Sequence, residues 1–281
     1  MNTTLALISE PDSRLNDALL GLTKSLDLPT VPFEQALRKQ INISDYDFLL
    51  GWLHDEETDH PSRLALFSKT AGPVFVDFLS GKKNHRRQFG GGKGQPLARA
   101  VGIAGTDCPS ILDATAGLGG DAFVFATLGC RVHMVERSPV VAALLSDALA
   151  RGQAAEDSEV ASILQHLSLV NADSATYLRE SHPEVDVIYM DPMYPEKKKT
   201  AAAKKEMKAL QHLIGPDMDS SELLQAALET AQLRVVVKRP AKAPPITLSS
   251  GIEPSTAIKS PNTRYDVYSI KALKSSGKLT P

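Results

Sequence analysis

From Ser110 onward, short β-rich runs alternate with helical stretches, and this alternation restricts the fold more than any other feature of the chain. "ILDAT", "RVHMVER", "LSLVNAD", "VDVIYMD" and "LRVVVKRP" read as strands. "GGDAFVFATLG", "SPVVAALLSDALARG" and "SSELLQAALETA" read as helices set among them. Ser138 is placed to cap the second helix, with Pro139 at its first position. Strands separated by crossover helices pair in parallel and are covered on both faces. The pattern therefore predicts an α/β fold with a doubly wound, mainly parallel, Rossmann-like sheet. "AIKS" and "RYDVYSIKAL" are expected to add a terminal antiparallel pair.

The chain before Ser110 is less regular. "TTLALIS" reads as a strand, and Asp12 to Leu26 carries helical spacing through Leu15, Leu19, Leu22 and Leu26. "DFLLGWL", "RLALFS" and "PVFVDFL" are strand-like. The expected division is a small N-terminal α/β domain at 1–80, a basic, glycine-rich connecting segment with a helix from Pro96 at 81–109, and the main domain at 110–281. At 281 residues, 42% of them hydrophobic, the chain is long enough to bury such a core. The start lacks the basic and apolar regions of a secretory leader. No apolar run approaches the roughly 18 residues of a membrane span, so a cytoplasmic location is expected. Cys108 and Cys130 lie far apart without metal-ligand spacing and read as reduced thiols, and no metal site is expected.

"LDATAGLGGD" ends a strand and opens a helix. Gly117 and Gly119 suit a tight turn whose backbone approaches a ligand at a helix N-terminus. The loop is not G-x-G-x-x-G, and it begins with an acid, Asp113, which would repel a pyrophosphate. An acid there suits a cofactor with a cationic amino-acid end. Glu136 ends the next strand, 17 residues after Gly119, where an acid suits the two hydroxyls of a ribose. Asp173 ends the third strand, where it can accept from an adenine amino group. This layout resembles the class I S-adenosylmethionine-dependent methyltransferases, which implies S-adenosylmethionine as cofactor.

The fourth strand runs into Asp191-Pro192-Met193-Tyr194-Pro195. The turn resembles the (D/N/S)-P-P-(Y/F/W) motif of enzymes that methylate exocyclic or amide nitrogens, with Met193 in place of the second proline. An amino group conjugated to an aromatic ring is a poor nucleophile. The Asp191 carboxylate and the Pro192 carbonyl can hold its N–H groups and turn its lone pair toward a methyl carbon. Tyr194 offers a face on which an extruded base can stack. The candidate catalytic residues are Asp191, Pro192 and Tyr194.

Net charge is −2, so a nucleic acid would have to bind a local basic patch. Lys82, Lys83, Arg86, Arg87 and Lys93 precede the main domain; Lys197, Lys198 and Lys199 follow the Asp191 turn; Lys238 and Arg239 end the fifth strand. These ten are the candidate RNA contacts, arranged as a basic frame around the active face.

"HRRQFGGGKGQPLARAVGI", "DATAGLGGDAFVFATLGCRVHMVERSPVVAALL", "YMDPMYPEKKKTAAAKKEMKALQHLIGPD" and "RVVVKRP" resemble, phrase by phrase, the bacterial guanine-N2 methyltransferases of 16S ribosomal RNA. The resemblance implies transfer to a guanosine near the 3′ end of 16S rRNA, position 1516 in the usual RNA numbering, with the rRNA within the small ribosomal subunit as the expected partner. It also implies cofactor contacts at Gly120, Asp121, Glu136, Arg137, Asp173, Ser174 and Asp191, beside Asp113, Gly117 and Gly119. Competing readings are an amino-group methyltransferase acting on adenine or protein glutamine, a non-catalytic RNA-binding protein of the same fold and, more distantly, a nicotinamide dehydrogenase.

Overall fold

A computed structural model describes residues 4–9, 12–23, 26–32, 46–54, 62–69, 71–79, 92–193, 210–215 and 219–279. The N-terminal region forms a four-stranded sheet from β1 (Leu5–Ser9), β2 (Thr30–Pro32), β3 (Phe48–Leu53) and β4 (Arg63–Ser68), in the order β2-β1-β3-β4. Helix α1 (Ser13–Leu22) is capped by Asp12, whose carboxylate accepts from Arg14 N. The helix stops at Thr23, short of the expected Leu26, and the Thr23 hydroxyl donates back to Leu19 O. "PVFVDFL" is not a strand: only Val74 bridges to Leu66, although Val74, Val76 and Phe78 are buried in alternation. An extended, half-buried segment shows period-two burial without a ladder, and Pro73 has no N–H to give one.

After α2 (Pro96–Val101), the main sheet is built from β5 (Ile111–Asp113), α3 (Gly120–Thr127), β6 (Val132–Glu136), α4 (Pro139–Gln153), α5 (Ser158–Leu164), β7 (Leu167–Asn171), α6 (Ser174–Ser181), β8 (Val187–Met190), α7 (Ser220–Thr230), β9 (Arg234–Pro240), β10 (Thr256–Lys259), β11 (Thr263–Ser269) and α8 (Ile270–Ser275). The strand order is β10-β11-β9-β8-β5-β6-β7. β9, β8, β5, β6 and β7 pair in parallel in that spatial order, while β11 runs antiparallel to both β9 and β10. This is the doubly wound, mainly parallel sheet expected from the alternation, terminal antiparallel pair included.

Side-chain alternation along the strands sends Ile111, Tyr189 and Val236 to one core and Leu112, Ile188, Val235 and Val237 to the other. The first core is continuous with Leu7, Leu50, Leu64, Val76 and Phe78 of the N-terminal region, so the two sheets share buried apolar surface. No helix among the described residues is long and apolar enough to cross a membrane.

Candidate active site

The order of strands reverses direction between β5 and β8, and ligands in open α/β sheets bind outside the carboxyl ends at such a point. A cavity of about 620 Å³ lies there. Its lining includes Asp113, Gly117, Gly120, Asp121, Glu136, Arg137, Asp173, Ser174, Asp191, Pro192, Met193 and Lys238. The volume falls within the roughly 300–1,000 Å³ of small-molecule sites.

The glycine loop is shaped by backbone conformations that only glycine adopts without strain. Gly117 has φ +52° and Gly119 φ +69°, and a Cβ on Gly119 would stand 2.9 Å from Leu145 Cδ1. Gly119→Ala is expected to destabilise the protein by about 1–2 kcal/mol, measurable by urea denaturation. Glu136 ties this loop to the end of β6. Its carboxylate accepts from Gly117 N at 2.8 Å and from Ser138 N at 2.7 Å, and it is buried. Asp173 caps α6 by accepting from Thr176 N at 2.9 Å. The buried Ser174 hydroxyl donates to Ala114 O at 2.6 Å, which is a structural use of that hydroxyl. Arg137 pairs with Asp219 at 3.0 Å across the rim.

The cavity floor holds a cluster of acids around one lysine. Lys238 Nζ donates to Asp121 Oδ2 and to Asp191 Oδ2, each at 2.7 Å. The Tyr189 hydroxyl donates to the same Asp121 oxygen at 2.7 Å, and Asp191 N donates to Thr115 Oγ1 at 2.6 Å. Burial opposes the charge on Lys238, but Asp191 and Asp121 outweigh it and hold the ammonium above the ordinary lysine value. Burial, then the charges of Asp121 and Asp191, raise the Tyr189 phenol. Asp113 is pushed from 3.8 up to about 8, chiefly by burial, with Asp121 and Asp191 adding to the shift against a hydrogen bond from Thr115 N. Between those two values the folded, ligand-free chain holds a proton that the unfolded chain releases. Stability therefore falls as pH rises through this window. Asp113→Asn removes the effect, so the variant's gain in melting temperature is expected to be larger at pH 8 than at pH 5.

The candidate RNA contacts fare unevenly. Lys238 is not part of an outward basic frame: it is two-thirds or more covered and committed to two carboxylates. Arg239 is buried, and its guanidinium donates to Pro244 O at 2.9 and 3.2 Å. Lys93 is exposed and donates to Gly105 O at 2.6 Å. Lys82, Lys83, Arg86, Arg87, Tyr194, Lys197, Lys198 and Lys199 lie outside the described residues.

Residues 51–270 match the protein family described as "Putative SAM-dependent methyltransferase". Over 99% of its length the chain is 56% identical to a ribosomal RNA small subunit methyltransferase J from Hydrogenovibrio crunogenus, all of which is covered. The chain belongs to the methyltransferase J family. The relative from Citrobacter koseri is 51% identical over 72% of the chain and 79% of its own length. Among solved structures, a SAM-dependent methyltransferase from Neisseria gonorrhoeae superimposes with a TM-score of 0.67 at 30% identity, covering 95% of this chain and 96% of that one.

The methyltransferase site fits S-adenosylmethionine on its own chemistry. A buried acid, Asp113, sits without a full countercharge where a cationic amino-acid end would settle. The glycine loop leaves backbone room that a side chain would fill. Sequence reasoning missed the ion-pair role of Lys238, although the register of β8 and β9 would have exposed it.

Proposed function

We propose that this methyltransferase transfers a methyl group from S-adenosylmethionine to the exocyclic N2 of a guanosine in 16S rRNA, giving N2-methylguanosine and S-adenosylhomocysteine. The observation that carries the reading is the Asp191-Pro192 turn, which opens at the end of β8 onto the cavity that the glycine loop also lines. The match to methyltransferase J over nearly the whole chain supports the substrate.

Bound S-adenosylmethionine supplies a methyl group activated by a sulfonium. Asp113 and the backbone of Gly117 and Gly120 would hold its amino-acid end, with Asp121 and Arg137 at the margins; Gly119 shapes the turn instead, its N–H donating to Ala116 O and its carbonyl accepting from Phe123 N. Glu136, at the end of β6 on the cavity wall, would face the ribose hydroxyls. Asp173 and the Ser174 backbone border the adenine. Asp191 and the Pro192 carbonyl accept the N–H groups of the base and orient its lone pair. Tyr194 stacks on the extruded ring.

Lys82, Lys83, Arg86, Arg87, Lys93 and Lys197–Lys199 are the proposed phosphate contacts, which assigns RNA docking to residues 81–109 and to the residues that follow the Asp191 turn. The proposed domain division keeps 1–80 as the small α/β unit and 110–281 as the catalytic one. The protein acts in the cytoplasm, where ribosomal subunits form. Replacing Lys82, Lys83, Arg86 and Arg87 together with alanine is expected to weaken RNA binding and to lower the salt slope by about 0.7–0.9 per lost contact. A titration of affinity against salt measures it.

The decisive experiment is methyl transfer from labelled S-adenosylmethionine to small subunits from cells lacking this protein, followed by nucleoside digestion and mass spectrometry. Label in N2-methylguanosine is expected. Label in another nucleoside, or in protein glutamine, would overturn the substrate and keep the chemistry.

A further inference from the structure

Strand register sets Lys238 beside Asp191. β8 and β9 pair in parallel through Met190 and Val237, and the residues that follow are Asp191, just past the end of β8, and Lys238, still on β9. An ammonium carries three N–H donors and no acceptor. Two of the three are spent on Asp121 and Asp191. Side-chain exposure rises from 13% at Asp121 through 26% at Lys238 to 41% at Asp191, so the lysine stands between the cavity floor and its mouth. Asp121 is itself fixed by the Tyr189 hydroxyl, which gives the ammonium a rigid inner anchor.

We propose that Lys238 selects guanine as the acceptor base, its third N–H donating to O6 while the Asp191 it holds accepts from the neighbouring N–H groups. The proposal rests on the guanine-N2 reading above and deepens it. The Watson–Crick edge of guanine runs acceptor, donor, donor through O6, N1–H and the N2 amino group. The strand ends run donor, acceptor, acceptor through Lys238, the Asp191 carboxylate and the Pro192 carbonyl. Adenine or cytosine, with its amino group at the same place, turns a ring-nitrogen acceptor toward the Asp191 carboxylate. Two acceptors then face each other without a proton, and a site built to hydrogen-bond its substrate rejects such a base strongly. Adenine also turns a C2–H toward the Lys238 donor, so Lys238 is a specificity residue against adenine and a positioning residue for Asp191, the group that rejects both bases.

The test crosses one change in the protein with one in the RNA. Small subunits are reconstituted with 16S rRNA carrying either guanosine or 6-thioguanosine at the modified position. The thio base keeps N1–H and the N2 amino group but presents sulfur, a weak acceptor, in place of O6. Values of kcat/KM are compared for the native protein, Lys238→Met and Lys238→Gln, with melting and S-adenosylmethionine affinity confirming that each variant is folded. The native protein is expected to lose about 10-fold or more on the thio substrate, the range of a charge-assisted hydrogen bond. Lys238→Met, slower on both substrates, should lose no more than about 2-fold between them. Lys238→Gln, which keeps an N–H donor, should retain part of the discrimination.

Equal losses in the native protein and in Lys238→Met would overturn the O6 contact, because independent effects multiply. Absence of any loss in the native protein would overturn it as well. Should Lys238→Met fail to fold, the native and Lys238→Gln proteins carry the comparison: a smaller thio loss in Lys238→Gln than in the native protein supports the contact, and identical losses overturn it. Failure of the native protein to modify guanosine at all is a separate result, which removes the guanine-N2 reading itself.

Discussion

Asp191→Ala is expected to lower methyl transfer to small-subunit RNA by about 10²–10³-fold, the usual cost of deleting one preorganised polar group from a reaction site. S-adenosylmethionine affinity should change by no more than a few-fold. The separation follows from how Asp191 is held. Its backbone N–H is anchored on Thr115 Oγ1, a bond that survives truncation of the side chain. The ammonium of Lys238 keeps its second partner in Asp121, so no unpaired charge is left on the cavity floor. The Asp191 side chain is 41% exposed, so little packing is lost. What disappears is the acceptor on the substrate side. Asp191→Asn keeps one acceptor oxygen and gives up the charge, and it should fall between the native protein and the alanine variant. Isothermal titration with S-adenosylmethionine and single-turnover transfer, run on the same preparations, give both quantities. A loss of cofactor affinity as large as the loss of rate would move Asp191 to the cofactor side of the site.

The main sheet was legible because its signals are local. Ser138 followed by Pro139 marks a helix start, and the structure has the Ser138 hydroxyl accepting from Val141 N at 3.4 Å. Gly117 and Gly119 mark a turn with positive φ, and both have it. Asp113, Glu136 and Asp191 close strands, and all three border one cavity. Lys238 and Arg239 were misread because adjacent residues on a strand point to opposite faces. Lys238 follows Val236 onto the α3 side, where Asp121 waits; Arg239 follows Val237 to the other side, where Pro244 O receives it. Reading "KR" as one basic patch ignores that period. Asp173 shows a different limit. An acid at a strand end also precedes a helix, and the cap it makes with Thr176 N cannot be told from a ligand contact until α6 is seen. Helices α5 and α6 themselves were too short and too polar on one side to stand out by periodicity.

Asp147→Ala is expected to destabilise the whole protein by about 3–5 kcal/mol, because it removes one partner of a buried ion pair. Asp147 and Arg151 lie one turn apart on α4, at 2.8 Å, with side chains 5% and 10% exposed. Burial raises the Asp147 carboxyl, and the Arg151 charge works against that rise. The pair is also a clamp between regions. Asp147 Oδ2 accepts from Leu64 N of β4 at 3.1 Å, and Arg151 Nη2 donates to Val76 O at 2.6 Å. Truncating Asp147 strands the guanidinium, orphans the Leu64 N–H and loosens the N-terminal sheet where the shared core begins. Thermal melting should drop by on the order of 10 °C. The double variant Asp147→Leu with Arg151→Met fills similar volume without charge and should recover much of that loss, since well-packed apolar pairs often match buried ion pairs. Unfolding followed by Trp52 fluorescence reports the N-terminal sheet, and far-ultraviolet circular dichroism reports the helices of the main domain. If the clamp and the common core bind the two regions into one cooperative unit, the two probes give one midpoint in the native protein. In Asp147→Ala the Trp52 transition should then precede the loss of helix. Coincident midpoints in both proteins, with a shift under 1 kcal/mol, would show that the apolar contacts alone join the sheets and that the ion pair adds nothing to them.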